Sequence, residues 1–480
     1  MKNIVAKGTI YLMIAQFFTS VFGYLIHIGL ARFMGPASYG TFGVILSIFL
    51  ITKTIFLTGT NRAISKYVAE KKYSAYSVLK TGAKLQFLLV GVALLFYIFF
   101  SESLAEFFND PSLATPLLIS SFILLPLALY ILLSKGLLNG LRIFPVQAYL
   151  ESSHSFVKLC VSFLLVYLGY GVFGALIGYI IGPLVAFVLG LYYIQKKKLI
   201  KKDSTNFSYK KLIHFALPIT LFYMMATSTM EIGVLMLKFF HGSNVLVGYY
   251  TSATTLGKMS FSLFSALPFT MLPSISYAAS NNNLQLIQRY IQKSLRYSLL
   301  LLFPFAVLMS THALQIITFL YSEAFQPAAI ALPYLAFGFT FFAIFSTLCS
   351  YLSGSGYPSS AMVISLISFA SAFIFGIILI PIKSLEGAAL TLLLSSVVAL
   401  VISLYYVFRK FGVLLPWRSF FRISFVSGII YVISFFYPLV FGNFIFSIIF
   451  YAILYCFLIY LFGEFSKEDV NLIRSLLRRK

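Results

Sequence analysis

The chain has 480 residues, 60% of them hydrophobic and only 10% charged, with a mean hydropathy of +0.96. That balance excludes a soluble globular domain, because apolar runs of about 20 residues mark membrane-spanning helices. The net charge of +23 would suit nucleic acid in a soluble protein, but its placement along this chain argues against that partner.

Apolar segments are expected, in chain order, at 8–33, 40–61, 81–100, 113–134, 152–169, 173–194, 213–240, 244–272, 296–320, 328–353, 360–381, 386–408, 421–441 and 443–463. The fold class is therefore all-α integral membrane, with fourteen transmembrane helices. The first segment is too long for a signal-peptide core and lacks a small-residue cleavage pattern, so it reads as a retained span. Connections are short except between Gln195 and Lys211, which holds seven lysines. This linker, 196–212, separates a six-helix bundle at 1–195 from a second at 213–410, and 411–463 adds helices thirteen and fourteen. The tail 464–480 reads as a cytoplasmic amphipathic helix. Ser466 followed by Asp469 resembles a capping box, and Val470, Ile473 and Leu477 share one face. Cys160, Cys349 and Cys456 lie in apolar segments and read as small buried hydrophobes.

With the N-terminus placed inside, most of the 35 Lys and Arg fall on one side. They include Arg62, Lys66, Lys71, Lys72, Lys135, Arg142, the linker lysines and Arg409 to Arg422. Basic residues accumulate on the cytoplasmic side, so both termini are expected there, in a cell membrane. The positive charge is thus topology, and nucleic acid is not an expected partner.

The same pattern occurs twice. Thr19-Ser20, Arg32-Phe33, Gly35, Gly40 and Phe42 match Thr227-Ser228, Lys238-Phe239, Gly242, Gly248 and Tyr250, at offsets of 206 to 208. Ile64-Ser65 echoes Ile275-Ser276, and Asn139-Gly140 echoes Ser353-Gly354. A membrane chain that repeats itself suggests a transporter built from two halves around a central site.

No phosphate-binding loop, metalloprotease motif or Cys-x-x-Cys is present, so no catalytic residue, metal or cofactor is expected. What remains is a set of ionisable groups inside spans, which by default face a protein interior or a wet cavity. Lys53, Lys158 and Lys258 suit a phosphate headgroup, since lysine binds phosphate as a point charge. By the repeat offset, Lys258 corresponds to position 50, one turn from Lys53, so the two could face each other. Snorkelling to the headgroups is the alternative, above all for Lys158. Glu231 could bind a coupling proton or sodium ion, or could pair with a lysine. His27 could join a proton relay or only pack. Pro218 interrupts segment seven, and Gly23 could bend segment one. With Arg32, Gly35, Gly40, Lys238, Gly242 and Gly248, they form a gating or structural set.

The stretch Ala31-Arg32-Phe33-Met34-Gly35-Pro36-Ala37-Ser38-Tyr39-Gly40-Thr41-Phe42-Gly43 resembles the first-loop signature of the polysaccharide-biosynthesis, or O-antigen, flippase family. That family lies in the multidrug/oligosaccharidyl-lipid/polysaccharide exporter superfamily. Leu272-Pro273-Ser274-Ile275-Ser276 and the Gly140 and Gly354 turns resemble it too. The resemblance implies two six-helix bundles related by a pseudo-two-fold, a V-shaped cavity and alternating access without ATP hydrolysis. It implies a polyprenyl-(pyro)phosphate-linked oligosaccharide as cargo. Lys53 and Gly59 match a basic residue and glycine in the second helix of related lipid II flippases. Thr254 stands where those relatives carry an arginine, which points to another glycolipid. Expected partners are the polyprenyl-linked oligosaccharide, membrane lipids, a proton or sodium ion, and proteins of glycan assembly, one copy of the chain being sufficient. A cation-coupled multidrug exporter of the same superfamily is the alternative, disfavoured by the two extra spans and the excess of basic groups.

Overall fold

The computed structural model describes residues 2–200, 203, 206–264, 266–281, 283–413, 415–437 and 442–464, with backbone only for 2–7, 9, 263, 264, 266–270 and 273. Ten apolar helical stretches are long enough to cross a membrane. Three are double-length, such as Ile10–Ala69 with 60 residues. A straight helix of that length would run about 90 Å, three times a hydrocarbon core of about 30 Å. Each therefore holds two spans. The breaks fall at Gly35, at Gly169 and Gly171, and at Ser384, all with positive φ.

The ten stretches thus hold thirteen segments, and the helix at 244–264 and 266–280, which is not among the ten, makes fourteen among the described residues. They are α1 (2–34) and α2 (36–69), α3 (Ala75–Phe107), α4 (Pro111–Leu138), α5 (Phe144–Leu165) with a π turn to Tyr170, and α6 (Gly171–Lys196). Then come α7 (Tyr209–His241), α8 (Asn244–Phe264 and Ala266–Ser280), α9 (Leu284–Thr311, continued by Ala313–Leu320) and α10 (Leu332–Gly354). The last are α11 (358–383) and α12 (385–411), α13 (Trp417–Phe436) and α14 (Phe444–Leu461). The first twelve form two bundles of six related by the repeat, and α13 and α14 are added to them.

The helices overrun the apolar segments on the lysine-rich face. α5 begins at Phe144, not 152, and α9 at Leu284, not 296. Hydropathy reports the hydrocarbon layer, whereas helices continue through the headgroup zone where polar side chains are solvated. Asn283 caps α9 by accepting from the Leu286 N–H at 3.0 Å, and Asn443 caps α14 likewise at Ile445, 2.9 Å.

The repeat is visible in contacts. Ser65, near the end of α2, donates to Asn139 Oδ1 at 2.8 Å just past α4. In the second half, Ser276 of α8 donates to the Gly354 carbonyl of α10 at 3.0 Å. Two motifs that echo each other separately in sequence therefore join in space, once per half.

By contacts the chain forms two compact units, Met1–Thr255 with Ser365–Thr391, and Leu256–Ile364 with Leu392–Lys480. α7 falls in the first because α2 lies along it. Ser47 donates to Glu231 at 2.9 Å, the Thr54 and Thr227 hydroxyls are 3.4 Å apart, and the Tyr67 hydroxyl donates to the Lys211 carbonyl at 3.1 Å. The second unit is centred on α10, whose Phe339, Phe342, Phe345 and Tyr351 are fully buried. Tyr351 bonds Ser294 of α9 at 2.7 Å.

Several expectations need correction. Cys349 is buried, but Cys160 and Cys456 are exposed on apolar helix flanks, because a lipid-facing surface accepts the thiol as readily as a core does. Of the expected tail, Glu464 alone is described. It is buried, bonded by Arg296 Nε at 2.7 Å and near Arg422 Nη1 at 3.7 Å. The remainder of the expected tail helix, and Lys201 and Lys202 of the linker, lie outside the described residues. α7 runs unbroken through Pro218, and α1 through Gly23.

Candidate functional site

The first unit gathers basic side chains from three helices. Lys53 of α2 lies within electrostatic range of Lys135 of α4 and of Lys158 of α5, and His154 of α5 lies within range of all three. Lys158 stands fourteen residues past the start of α5 and Lys53 sixteen before the end of α2. At 1.5 Å per residue both sit roughly 21–24 Å from those helix ends. Counted from the edges of their apolar segments, at 152 and 61, Lys158 stands about 9 Å and Lys53 about 12 Å inside, so snorkelling remains the alternative above all for Lys158.

Local structure sets this arrangement. His154 and Lys158 are i, i+4 neighbours and share one helix face. α6 approaches that face closely, since a Cβ on Gly182 would lie 2.9 Å from both the His154 carbonyl and Lys158 Cβ. The Lys158 ammonium sits over the Tyr179 ring of α6, 4.4 Å from its centroid. The His154 ring stacks on Tyr130 of α4 at 4.9 Å and 26°. Lys135 falls in the π turn Leu132–Leu138, and a π turn rotates the side chains beyond it relative to a regular helix. Lys135 reads from sequence as a loop residue, and His154 lies at the edge of its apolar segment, so neither is singled out there. Their signal is the i, i+4 spacing and the helix overrun.

None of these four groups has a carboxylate at ion-pair distance among the described residues. Glu151, one turn below His154, accepts from Gln147 at 3.0 Å, and Gln147 accepts from Asn139 at 2.9 Å. Clustered ammonium groups in a membrane bundle are costly without counter-charge. Among the described residues the cluster is left with an excess of positive charge.

Glu231 is buried and accepts from Ser47, with Tyr250 nearby. Lys238 is not its partner in an ion pair; Asp110 is the carboxylate that Lys238 engages. His27 Nδ1 bonds the Tyr39 hydroxyl at 3.0 Å, and that hydroxyl lies 3.5 Å from Thr255 Oγ1. Lys258 is half-buried in α8 and belongs to the second unit.

The face opposite the lysine-rich one carries a second constellation. Lys238 is fully buried, and its ammonium bonds Asp110 Oδ2 at 2.7 Å, the Gly242 carbonyl at 2.8 Å and Asn244 Oδ1 at 2.7 Å. Asn244 Nδ2 also donates to Asp110 Oδ2, at 2.8 Å. Gly242 ends α7 with φ 64 and Gly35 ends α1 with φ 73, a left-handed conformation that costs glycine little. Arg32, the repeat equivalent of Lys238, is exposed, so equivalent positions do different work. Beside this node α2 crosses α8 through equivalent glycines. A Cβ on Gly40 would collide with the Asn244 carbonyl, and one on Gly248 with the Pro36 carbonyl.

Partial burial raises the Asp110 carboxyl. Hydrogen bonds from Lys238, Ser112 and Asn244, and the Lys238 charge, outweigh it and bring the group from its ordinary 3.8 down to about 2. A depressed carboxylate contributes stability that is full above its unfolded value and lost as pH falls through the folded one. The wild-type melting temperature should therefore decline between about pH 4 and pH 2 more steeply than that of Asp110→Asn. Equal slopes would show that the node contributes no pH-linked stability.

Residues 5–279 match the family model described as polysaccharide biosynthesis protein. The chain belongs to that family. Two membrane proteins of Methanocaldococcus jannaschii, both described as uncharacterized, are similar to it. MJ1068 is 26% identical over 81% of each chain, and MJ1375 is 24% identical over 84% of this chain and 98% of its own. Among solved structures, the lipid II flippase MurJ in an inward closed conformation superposes with a TM-score of 0.78. It is 19% identical and covers 98% of this chain and 100% of its own. An inward-facing multidrug resistance MATE family transporter of the MOP superfamily gives 0.69 at 16% identity, over 84% and 98%. This member of the polysaccharide biosynthesis family thus is a multi-pass membrane protein with the fold of those transporters.

Proposed function

We propose that the protein is a flippase. It moves a polyprenyl-(pyro)phosphate-linked oligosaccharide from the cytoplasmic to the outer leaflet by alternating access, for the assembly of a cell-surface glycan. The observation that carries this reading is the cluster of Lys53, Lys135, His154 and Lys158, without a carboxylate at ion-pair distance among the described residues. A phosphate or diphosphate headgroup supplies the missing negative charge. A cationic drug would meet repulsion there, which favours the flippase over the multidrug exporter. The basic linker and loops support a cytoplasmic lysine-rich face and, with it, cytoplasmic termini. The cluster is then loaded from the leaflet where such lipids are made. Residues 1–195 and 213–410 act as the two moving halves. Lys258 is a further headgroup cation on repeat grounds, and buried Glu231 carries the coupling proton or sodium ion.

Mass spectrometry of lipids from cells lacking the protein, sorted by leaflet, tests this directly. A polyprenyl-linked oligosaccharide accumulating on the cytoplasmic side is the expected result. Unchanged lipids together with altered sensitivity to cationic drugs would replace the reading with the exporter. In vesicles, flipping by Glu231→Gln should no longer respond to an imposed ion gradient, and an intact response removes Glu231 from coupling.

A further inference from the structure

Three histidines of the described chain are engaged by protein groups through ring nitrogens. His27 bonds Tyr39, His241 Nε2 lies 3.0 Å from the Ile380 carbonyl, and His312 Nδ1 lies 3.0 Å from Thr311 Oγ1. His214 is exposed. His154 differs from all four. It is half-buried inside a bundle, and neither ring nitrogen has a hydrogen-bond partner among the described residues. Tyr130 covers one ring face, and the Cδ2 edge lies toward Gly182 of α6. Ten residues past Phe144, it stands between Lys135, near the lysine-rich end of α4, and the deeper Lys158 and Lys53.

We propose that His154 is a proton-exchanging member of the headgroup site, taking up a proton from the lysine-rich side as the phosphate arrives and releasing it when the phosphate leaves. The inference rests on the headgroup reading above. The charged and titratable groups around the imidazole are Lys53 from α2, Lys135 and Tyr130 from α4, Glu151 and Lys158 from α5, and Tyr179 from α6 beyond Lys158. A phosphate set among these groups favours the charged form of an imidazole beside it. By reciprocity, the protonated imidazole tightens phosphate binding. Histidine is the side chain whose ordinary charge change falls nearest neutral pH, so a proton taken up by His154 adds to the positive charge of the loaded site. The pH on the loading face then sets affinity, and the net charge moved with each lipid is smaller than the headgroup charge.

The test is calorimetric binding of farnesyl-phosphoryl-glucose to the purified full chain, in buffers of different ionisation heat. The charge of this phosphodiester does not change near neutral pH. Wild type should take up a proton on binding, up to about one per ligand, with affinity falling several-fold from about pH 6 to about pH 8. His154→Gln should bind more weakly, with clearly less uptake at about pH 6 and a shallower pH dependence between about pH 6 and about pH 7. Absence of uptake by wild type overturns the proposal without any variant, as does equal uptake by His154→Gln. No binding by wild type, or binding indifferent to Lys53→Ala, instead overturns the headgroup reading itself.

Discussion

Replacing Lys53 and Lys158 together by alanine is expected to weaken binding of a prenyl phosphate at least about 100-fold, since a hydrogen bond to a charged group contributes about 1.5–3 kcal/mol and two are lost. Flipping should fall in parallel. Stability should behave in the opposite way. The two ammonium groups repel each other and Lys135, so removing them relieves strain in the empty protein, and the melting temperature should hold or rise. Sites that bind charge commonly trade stability for function in this manner. The arginine variants should retain part of the binding, because the charge stays even though the geometry changes. Unchanged binding in the double variant, or a fall in melting temperature that accounts for the loss, would remove the cluster from the cargo site.

Gly40→Val and Gly248→Val should each disrupt the contact between α2 and α8 on the face opposite the lysines. The added Cβ meets a carbonyl of the opposing backbone in both cases, so no rotamer change relieves it and the helices must separate. Overpacking of this kind costs about 1–3 kcal/mol, which shifts an open-to-closed equilibrium by about 5- to 150-fold. A cysteine at Ser47, buried beside Glu231, reports it once the native cysteines are replaced. A water-soluble thiol reagent added on the side of the α7–α8 turn should label it at least about tenfold faster in either valine variant. Cargo movement should drop, since this face then no longer seals. An unaltered labelling rate would show that the crossing does not control access.

The lysine node beside this crossing was only half legible. Lys238, Gly242 and Gly248 stand out through their repeat partners Arg32, Gly35 and Gly40. Nothing in the chain indicates that Lys238 meets Asp110, 128 positions away, while Arg32 stays exposed. The repeat reports common ancestry of backbone, and side-chain partners diverge once each copy packs against different neighbours. In the cation cluster, Lys53 and Lys158 are readable because charge inside an apolar run is costly wherever it points. Lys135 was hidden by a π turn and by counting it to a loop, and His154 by a helix that begins eight residues before its apolar segment.

Hydropathy and charge order by themselves determined the fourteen spans and the lysine-rich face, and matching motifs determined the repeat. The spans and the face follow from the cost of placing a given residue in hydrocarbon, which is paid position by position along the chain. Only the tertiary structure decided which ionisable groups share a site. It brought Lys135 and His154 to Lys53 and Lys158, gave Lys238 to Asp110, and set Glu231 against Ser47. Such groupings depend on helix rotation and close approach, which small residues at crossings and local π turns control and which no one-dimensional period encodes.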